Sequence, residues 1–180
     1  MSRPWRTITS DISYSNLPFW EIRKDRVVRP DETEGYYQYI ERGDFAVAIP
    51  LIDNDQTYLV RQWRYPVGRN SWEFSMGDIK KGETPAEAAQ RELEEETGLR
   101  AGRLQQIGYC HLANALTNQA FYVFIASDIQ PGKQQLETGE LDMIVRQLSL
   151  ADVKKMVGRG EILDAPTIAS IYYLDRYLHL

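Results

Sequence analysis

Cysteine is almost absent: Cys110 stands alone in a chain of 180 residues. That excludes an intramolecular disulfide and a thiolate zinc cluster. Long apolar runs are missing too. The most extended lie around Phe45–Ile52 and residues 121–126, far short of the ~20 residues that a membrane-crossing helix needs. Basic residues are outnumbered, 21 Lys and Arg against 26 Asp and Glu for a formal charge of −5. This argues against a dedicated binder of nucleic acid or of an anionic membrane. The opening residues 1–6 hold no apolar core of the kind a secretory leader requires. Repeats, low-complexity tracts and obvious interdomain linkers are lacking as well. A cytoplasmic protein without nucleic-acid or membrane partners is expected.

What is present suffices for an ordinary folded domain. Hydrophobic residues make up 43% and charged residues 26%, which is neither disordered nor fibrous. A chain of this length buries about 70% of the surface exposed when unfolded, so it needs no staple. Aromatic segments open the sequence, Trp20-Glu21-Ile22-Arg23 and Tyr36-Tyr37-Gln38-Tyr39-Ile40, with Pro30-Asp31-Glu32 between them as a turn signal. They predict a small antiparallel β unit over residues 1–43. Residues 44–180 read as the main domain. Phe45–Ile52 is a buried strand, Asp53-Asn54-Asp55 a turn, residues 57–63 its partner, and Trp72-Glu73-Phe74 another short strand. Thr84-Pro85-Ala86-Glu87 is a capping box with proline at the first helical position, and Gly98 stands where that helix would close. Ala89 and Leu93 mark its core stripe. Strands are expected again at 104–109, 120–126 and 143–148, and helices near 150–157 and from Thr167 to about Leu178. Mixed strands with interspersed helices indicate an α+β fold, an α/β/α sandwich.

The chemistry concentrates at the end of the first helix, Arg91-Glu92-Leu93-Glu94-Glu95-Glu96-Thr97-Gly98. Glu92 and Glu96 are spaced i,i+4 and repel, and acids in a last turn oppose the helix dipole. At 100° per residue Glu92, Glu95 and Glu96 occupy a sector of about 100°. One arginine cannot neutralise all three, whereas a hard divalent cation would relieve the repulsion. Oxygen ligands without histidine or cysteine favour Mg²⁺, with Mn²⁺ as a substitute, over zinc. The bland alternative is a solvated acidic helix face. It leaves unexplained why a strand end, a turn-forming stretch from Gly77 to Gly82-Glu83 and the acidic helix come in sequence.

Gly77, five residues, Glu83, seven residues and then Arg91-Glu92-Leu93-Glu94-Glu95-Glu96-Thr97-Gly98-Leu99 resembles the box of the Nudix hydrolases at every defined position. Further upstream, Val60-Arg61-Gln62-Trp63-Arg64-Tyr65-Pro66 and Trp72-Glu73-Phe74 are similar to the corresponding stretch of the ADP-ribose and nucleotide-sugar pyrophosphatases. The aromatic N-terminal segment also looks like theirs, which commonly builds part of a homodimer.

The resemblance implies a Nudix fold with a mixed central sheet and the box as loop–helix–loop. It also implies hydrolysis of a nucleoside diphosphate derivative, ADP-ribose or a nucleotide-sugar, to a monophosphate and a phosphorylated moiety. A polyanionic substrate attacked by water needs cations to cancel charge and organise the nucleophile. By this resemblance Glu92, Glu95 and Glu96 are metal ligands, joined by the carbonyl of Met76. Arg91 orients a glutamate through a charge-assisted bond, and Gly77 and Glu83 are structural. For the water-activating base the resemblance points to the late acidic loop of residues 136–142. Glu140 is the first choice there, Glu137 the second, and Glu95 itself the box alternative. Arg61 and Arg64 are candidates to grip phosphate, or else surface arginines lying over Trp63 and Tyr65. Glu73 either approaches metal or substrate or partners Arg64 or Arg69. Trp20, Tyr37 and Tyr39 are stacking candidates or plain core, and His111, just before the 114–119 loop, reads better as a strand residue.

Two departures bear on the substrate. Ser75-Met76 replaces the Pro-Ala usual before the box glycine, and Ala115-Leu116-Thr117 stands where a Ser-Pro-Gly-like turn is common. A nucleotide-sugar is therefore as good an expectation as ADP-ribose. The alternatives are a dinucleoside polyphosphate hydrolase and a non-catalytic Nudix sensing domain, although sensors generally lose box glutamates and this chain keeps them all.

Overall fold

The computed structural model describes residues 4–179. Residues 1–3, the start of the stretch read for a leader, and residue 180 lie outside the described residues. Two compact units emerge, one running up to Gly43 and including His111–Ala120, the other Asp44–Cys110 with the chain from Phe121 onward.

The first unit is a three-stranded antiparallel sheet of β1 (Arg6–Asn16), β2 (Trp20–Val28) and β3 (Glu34–Glu41), in that order. β2 and β3 coincide with the aromatic segments, and the turn between them places Glu32 at φ 61°. β1 was not apparent in the sequence. Its eleven residues are all exposed and rich in Ser and Thr, and two irregularities interrupt its pairing with β2. A strand with no buried face has no alternation to read. His111–Ala120 joins this unit through hydrogen bonds: Ile40 N to Leu116 O (2.9 Å), Tyr37 Oη to Ala115 O (3.0 Å) and Gln119 Nε2 to Gly43 O (2.7 Å). Trp20 stacks obliquely on Tyr14 at 5.5 Å and Tyr37 meets Trp5 edge-on at 5.8 Å.

The second unit is built on β4 (Phe45–Ile52), which is buried at every residue but its last. Such an unbroken apolar run is what a strand covered on both faces requires. Phe45, Val47, Ile49 and Leu51 point into one cluster, and Ala46 and Ala48 into another. β5 (Gln56–Arg64) follows a tight three-residue turn in which Asp53 and Asn54 both have positive φ, 49° and 56°, a conformation that Asp and Asn tolerate better than most residues. β6 (Arg69–Glu73) folds back on β5, and β7 (Ser75–Asp78) pairs with β4 from Phe45 to Ala48. β4 meets β5 only at Leu51 and Ile52, so β7 and β5 share one edge of β4. Pro50, which has no N–H to give, stands at the changeover.

Helix α1 (Pro85–Thr97) covers the alanine face with Ala88, Ala89 and Leu93; burying Leu93 alone is worth about 1.5–3 kcal/mol. β8 (Leu99–His111) and β9 (Ala120–Pro131) follow, β9 running parallel to β4. A short 3-10 turn at Thr138–Glu140 leads to β10 (Ile144–Ser149). Helices α2 (Leu150–Gly158) and α3 (Ala165–Leu178) close the opposite face with Val153, Met156 and Leu174. The sheet order is β10-β5-β4-β9-β8. The fold is α+β, a mixed sheet between helices on both faces. Gly77 differs from expectation: it lies inside β7 opposite Ala46, and the turn begins only beyond Asp78. Among the described residues no helix is long and apolar enough to cross a membrane.

Candidate active site

The box helix is set by its own ends. Thr84, at φ −79° and ψ 157°, accepts a hydrogen bond from Glu87 N, and the Glu87 carboxylate accepts one from Thr84 N at 2.8 Å. At the other end Gly98 takes the left-handed conformation, φ 69°, and its N–H reaches Glu94 O at 2.9 Å. These two local signals fix where the glutamates fall along the helix.

Arg91 ties the preceding loop to the helix. Its guanidinium grips Glu83 with two bonds, at 2.7 and 3.0 Å, and donates to Asp78 O at 3.0 Å. It also donates to Glu95 at 3.0 Å and to Glu92. The bonds to Glu83, followed by those to Glu92, hold the Arg91 pKa above its ordinary value. The same contact with Arg91 pulls the Glu83 carboxyl below its usual range.

The three box glutamates differ in environment. Glu95 is the most open, with 35% of its side chain exposed. Glu92 lies against β7, where a Cβ on Gly77 would come 2.2 Å from its carboxyl carbon. Burial raises the Glu92 pKa, with Arg91 opposing and Glu95 adding. Glu96 is 3% exposed, and its Oε2 has no hydrogen-bond partner. Burial pushes its carboxyl up to about 8; Glu92 and Glu140 add to the shift, while the Ser75 hydroxyl and Arg64 oppose it. The Ser75 hydroxyl closes no hydrogen bond despite its proximity.

Glu140 ends the 3-10 turn, and its carboxylate accepts from Glu137 N at 3.0 Å. Its charge reaches Glu96, whereas Glu137 is exposed. Glu73 is 2% exposed and held by Arg64, whose Nε lies 3.0 and 3.2 Å from the two carboxylate oxygens and whose Nη2 bonds it as well. Arg64 is 40% exposed at its side chain. Arg61 lies over the Trp72 ring at 5.7 Å and, three positions from Arg64 in a strand paired without a bulge to β6, projects from the opposite face. The structure therefore brings Glu92, Glu96, Glu140 and Arg64–Glu73 into one electrostatic neighbourhood and leaves Arg61 outside it. Met76 is half-buried in β7, opposite Val47.

Asp164 was missed in the sequence. It caps α3, accepting from Thr167 N at 2.8 Å and Thr167 Oγ1 at 2.7 Å, and Thr167 Oγ1 accepts from Phe74 N at 3.1 Å. Burial raises its pKa, and Glu73 contributes. The Asp164-Ala165-Pro166-Thr167 run signals a helix start but not its place beside Glu73.

The donor set is entirely oxygen. An unpartnered, buried Glu96 oxygen and a Glu92 carboxylate pressed on a glycine backbone fit a hard divalent cation. In the present arrangement Arg91 engages Glu92 and Glu95, and among the described residues no three Asp, Glu, His or Cys side chains gather closely enough to hold a metal ion.

Comparison with known proteins gives the same direction. A model of the NUDIX domain matches residues 44–169. The ADP-ribose pyrophosphatase of Bacillus subtilis (strain 168) is 34% identical over 132 residues, 72% of this chain and 71% of that protein. The ADP-ribose pyrophosphatase of Mycobacterium tuberculosis is 28% identical over 169 residues, 93% and 81% of the two chains. A crystal structure of an ADP compounds hydrolase has the same fold, with a TM-score of 0.85 at 19% identity over 98% of this chain and 95% of that one. With the box glutamates, the sandwich and the matched domain in agreement, this chain belongs to the Nudix hydrolase family.

Proposed function

We propose that the chain hydrolyses the pyrophosphate bond of ADP-ribose or a closely similar nucleotide-sugar, releasing a nucleoside monophosphate and a phosphorylated sugar. The observation that carries this reading is the Glu92–Glu96 pair, one carboxylate packed on Gly77 and the other buried with an unpartnered oxygen. The two relatives named as ADP-ribose pyrophosphatases favour ADP-ribose within the class.

Glu92, Glu95 and Glu96, with the carbonyl of Met76, are the groups that would hold Mg²⁺, or Mn²⁺ in its place. Such an ion supplies charge neutralisation at the pyrophosphate and lowers the pKa of water. Release of Glu92 and Glu95 from Arg91 frees their oxygens, and Arg91 keeps the helix oriented through Glu83. Glu140 takes the proton of the attacking water. Arg64 is held in a fixed fork by Glu73, and its Nη1 makes none of those bonds, so it presents a positioned cationic edge to a phosphate. Arg61 has no part here, because it projects from the other face of β5.

The first unit is proposed to form a homodimer. Ile8, Ile12, Tyr14, Phe19 and Tyr36 are all exposed on it, and large apolar side chains gathered on a surface mark an interaction site. We propose that the reaction runs in the cytoplasm, in keeping with a chain whose single cysteine allows no internal disulfide.

The test is monophosphate release from ADP-ribose, nucleotide-sugars and dinucleoside polyphosphates, each with Mg²⁺, Mn²⁺ or EDTA, read through a coupled phosphatase. EDTA-sensitive cleavage of ADP-ribose or a nucleotide-sugar is the expected result. Cleavage confined to dinucleoside polyphosphates, or no cleavage by well-folded protein, contradicts the proposal.

A further inference from the structure

Four consecutive residues beyond β9 each donate one hydrogen bond to the end of the glutamate helix. Gly132 N reaches Gly98 O (2.8 Å), Lys133 N the Glu94 carboxylate (3.3 Å), Gln134 Nε2 the Glu96 carbonyl (2.7 Å) and Gln135 N the Glu95 carbonyl (2.8 Å). The packing is close. A Cβ on Gly132 would come 2.9 Å from the Glu94 carboxylate, and one on Gly98 would come 3.4 Å from Gln134 N.

The helix needs these donors. Its last turn holds no basic residue, its terminal carbonyls lack intrahelical partners, and Glu92, Glu95 and Glu96 crowd its negative end. Residues 132–135 supply N–H dipoles where lysine or arginine would ordinarily stand.

The same segment leads directly into the acidic loop of residues 136–142. That loop has few holds of its own. Glu140 N bonds Glu137 O (2.9 Å), Glu137 N bonds the Glu140 carboxylate (3.0 Å), and Met143 N bonds Glu140 O (2.8 Å). Met143 is buried, while residues 137–139 and 141–142 are exposed. The loop is thus anchored at Met143 on one side and at residues 132–135 on the other.

We infer that residues 132–135 form a strap that registers the Glu140 loop against the box glutamates, and that Gln134 is a positioning residue for hydrolysis. Gln134 contributes through its side chain, bonding the backbone of Glu96 itself, so its bond can be removed without altering the main chain. The inference rests on the reading of Glu140 as the group that takes the water's proton.

The test compares wild-type protein with Gln134→Met, similar in shape but without a donor, and Gln134→Lys, which keeps one. Amide hydrogen exchange on the full, metal-free chain reads the strap without any substrate. In Gln134→Met the Glu140 and Met143 amides are expected to exchange about tenfold faster while β4 amides stay unchanged, and Gln134→Lys should restore protection. With ADP-ribose and Mg²⁺, kcat should fall about tenfold in Gln134→Met at unchanged KM, as misplacement of a reacting group predicts. Gln134→Lys should recover it. Unchanged loop exchange in Gln134→Met, equal acceleration in β4, failure of Gln134→Lys to restore protection, or wild-type kcat despite a loosened loop would each overturn the inference. A wild-type enzyme silent on every substrate would instead defeat the hydrolytic reading, and the exchange comparison would still decide whether the strap holds the loop.

Discussion

The Glu92 carboxyl group lies on the backbone of Gly77, so close that a β-carbon there would approach its Cδ to 2.2 Å. The glycine is required for the space it leaves rather than for its φ, since it sits in paired β7.

Gly77→Ala should therefore push Glu92 out of place while the sheet survives. The expected loss is about 10- to 100-fold in metal affinity or turnover, the range seen when a group supporting a ligand is altered. Calorimetric titration with Mn²⁺ and the coupled phosphatase assay measure it. Wild-type affinity and turnover would contradict the assignment of Glu92.

Glu96 makes the metal-free protein lose stability as pH rises from the ordinary carboxylate range to about 8. Its folded pKa of about 8 exceeds the usual carboxylate value, so between the two the folded state holds a proton that the unfolded state has lost. Stability then falls as pH rises through that window, by at most about 1.4 kcal/mol per pH unit for one proton. Glu96→Gln should flatten this slope and raise the stability of the metal-free form near pH 8, read by urea unfolding in EDTA at several pH values. The same variant should lose more turnover than the roughly 10–100-fold typical of supporting groups. An unchanged slope would count against the buried acid.

Arg64 is expected to serve stability and catalysis together. Arg64→Ala strands a buried Glu73, at a cost of up to about 3 kcal/mol, below the fully buried range because Arg64 is partly exposed. Arg64→Lys should recover part of the stability but not the two-pronged grip, leaving KM for ADP-ribose elevated. Thermal unfolding and steady-state kinetics on both variants separate the effects; equal KM in Arg64→Lys and wild type would remove Arg64 from the phosphate site.

Thr84→Ala removes one half of the capping box and should lower stability by about 1 kcal/mol. Urea midpoints at constant m-value report it, and a loss below about 0.3 kcal/mol would show that the helix start is held by tertiary packing instead.

What was legible in the sequence is what is local. Thr84 with Glu87 and Gly98 fixed both ends of α1, and Ala89 and Leu93 its buried face, because each signal depends on neighbours within a turn. That Arg91 engages a glutamate follows from the resemblance, but its partners Glu83, Glu92 and Glu95 are seen only in the fold. β1 escaped because its side chains are exposed on every residue. Gly77 reads as a turn in the sequence because strand glycines and turn glycines look alike until the opposing side chain, here Glu92, is known. Asp164's place depends on how α3 meets the β6–β7 connection, whereas the Arg64–Glu73 pair, one of the two readings the sequence offered for Glu73, lies within the paired strands β5 and β6. The strap around Gln134 was invisible for a different reason: two of its four donors are main-chain amides aimed at main-chain oxygens, which no side-chain pattern encodes.

Alanine at positions 46 and 48 gives the site an indirect ruler. β4 presents small side chains to α1 and large ones to α2 and α3, so sliding it by one residue would drive Phe45 and Val47 into a gap sized for methyl groups. The sliding strand would carry Gly77, paired with Ala46, away from Glu92. The seat of the Glu92 carboxylate is thus calibrated by residues that never meet solvent. Enlarging Ala46 or Ala48 should detune the chemistry from inside the protein, at a distance and without altering a single charge.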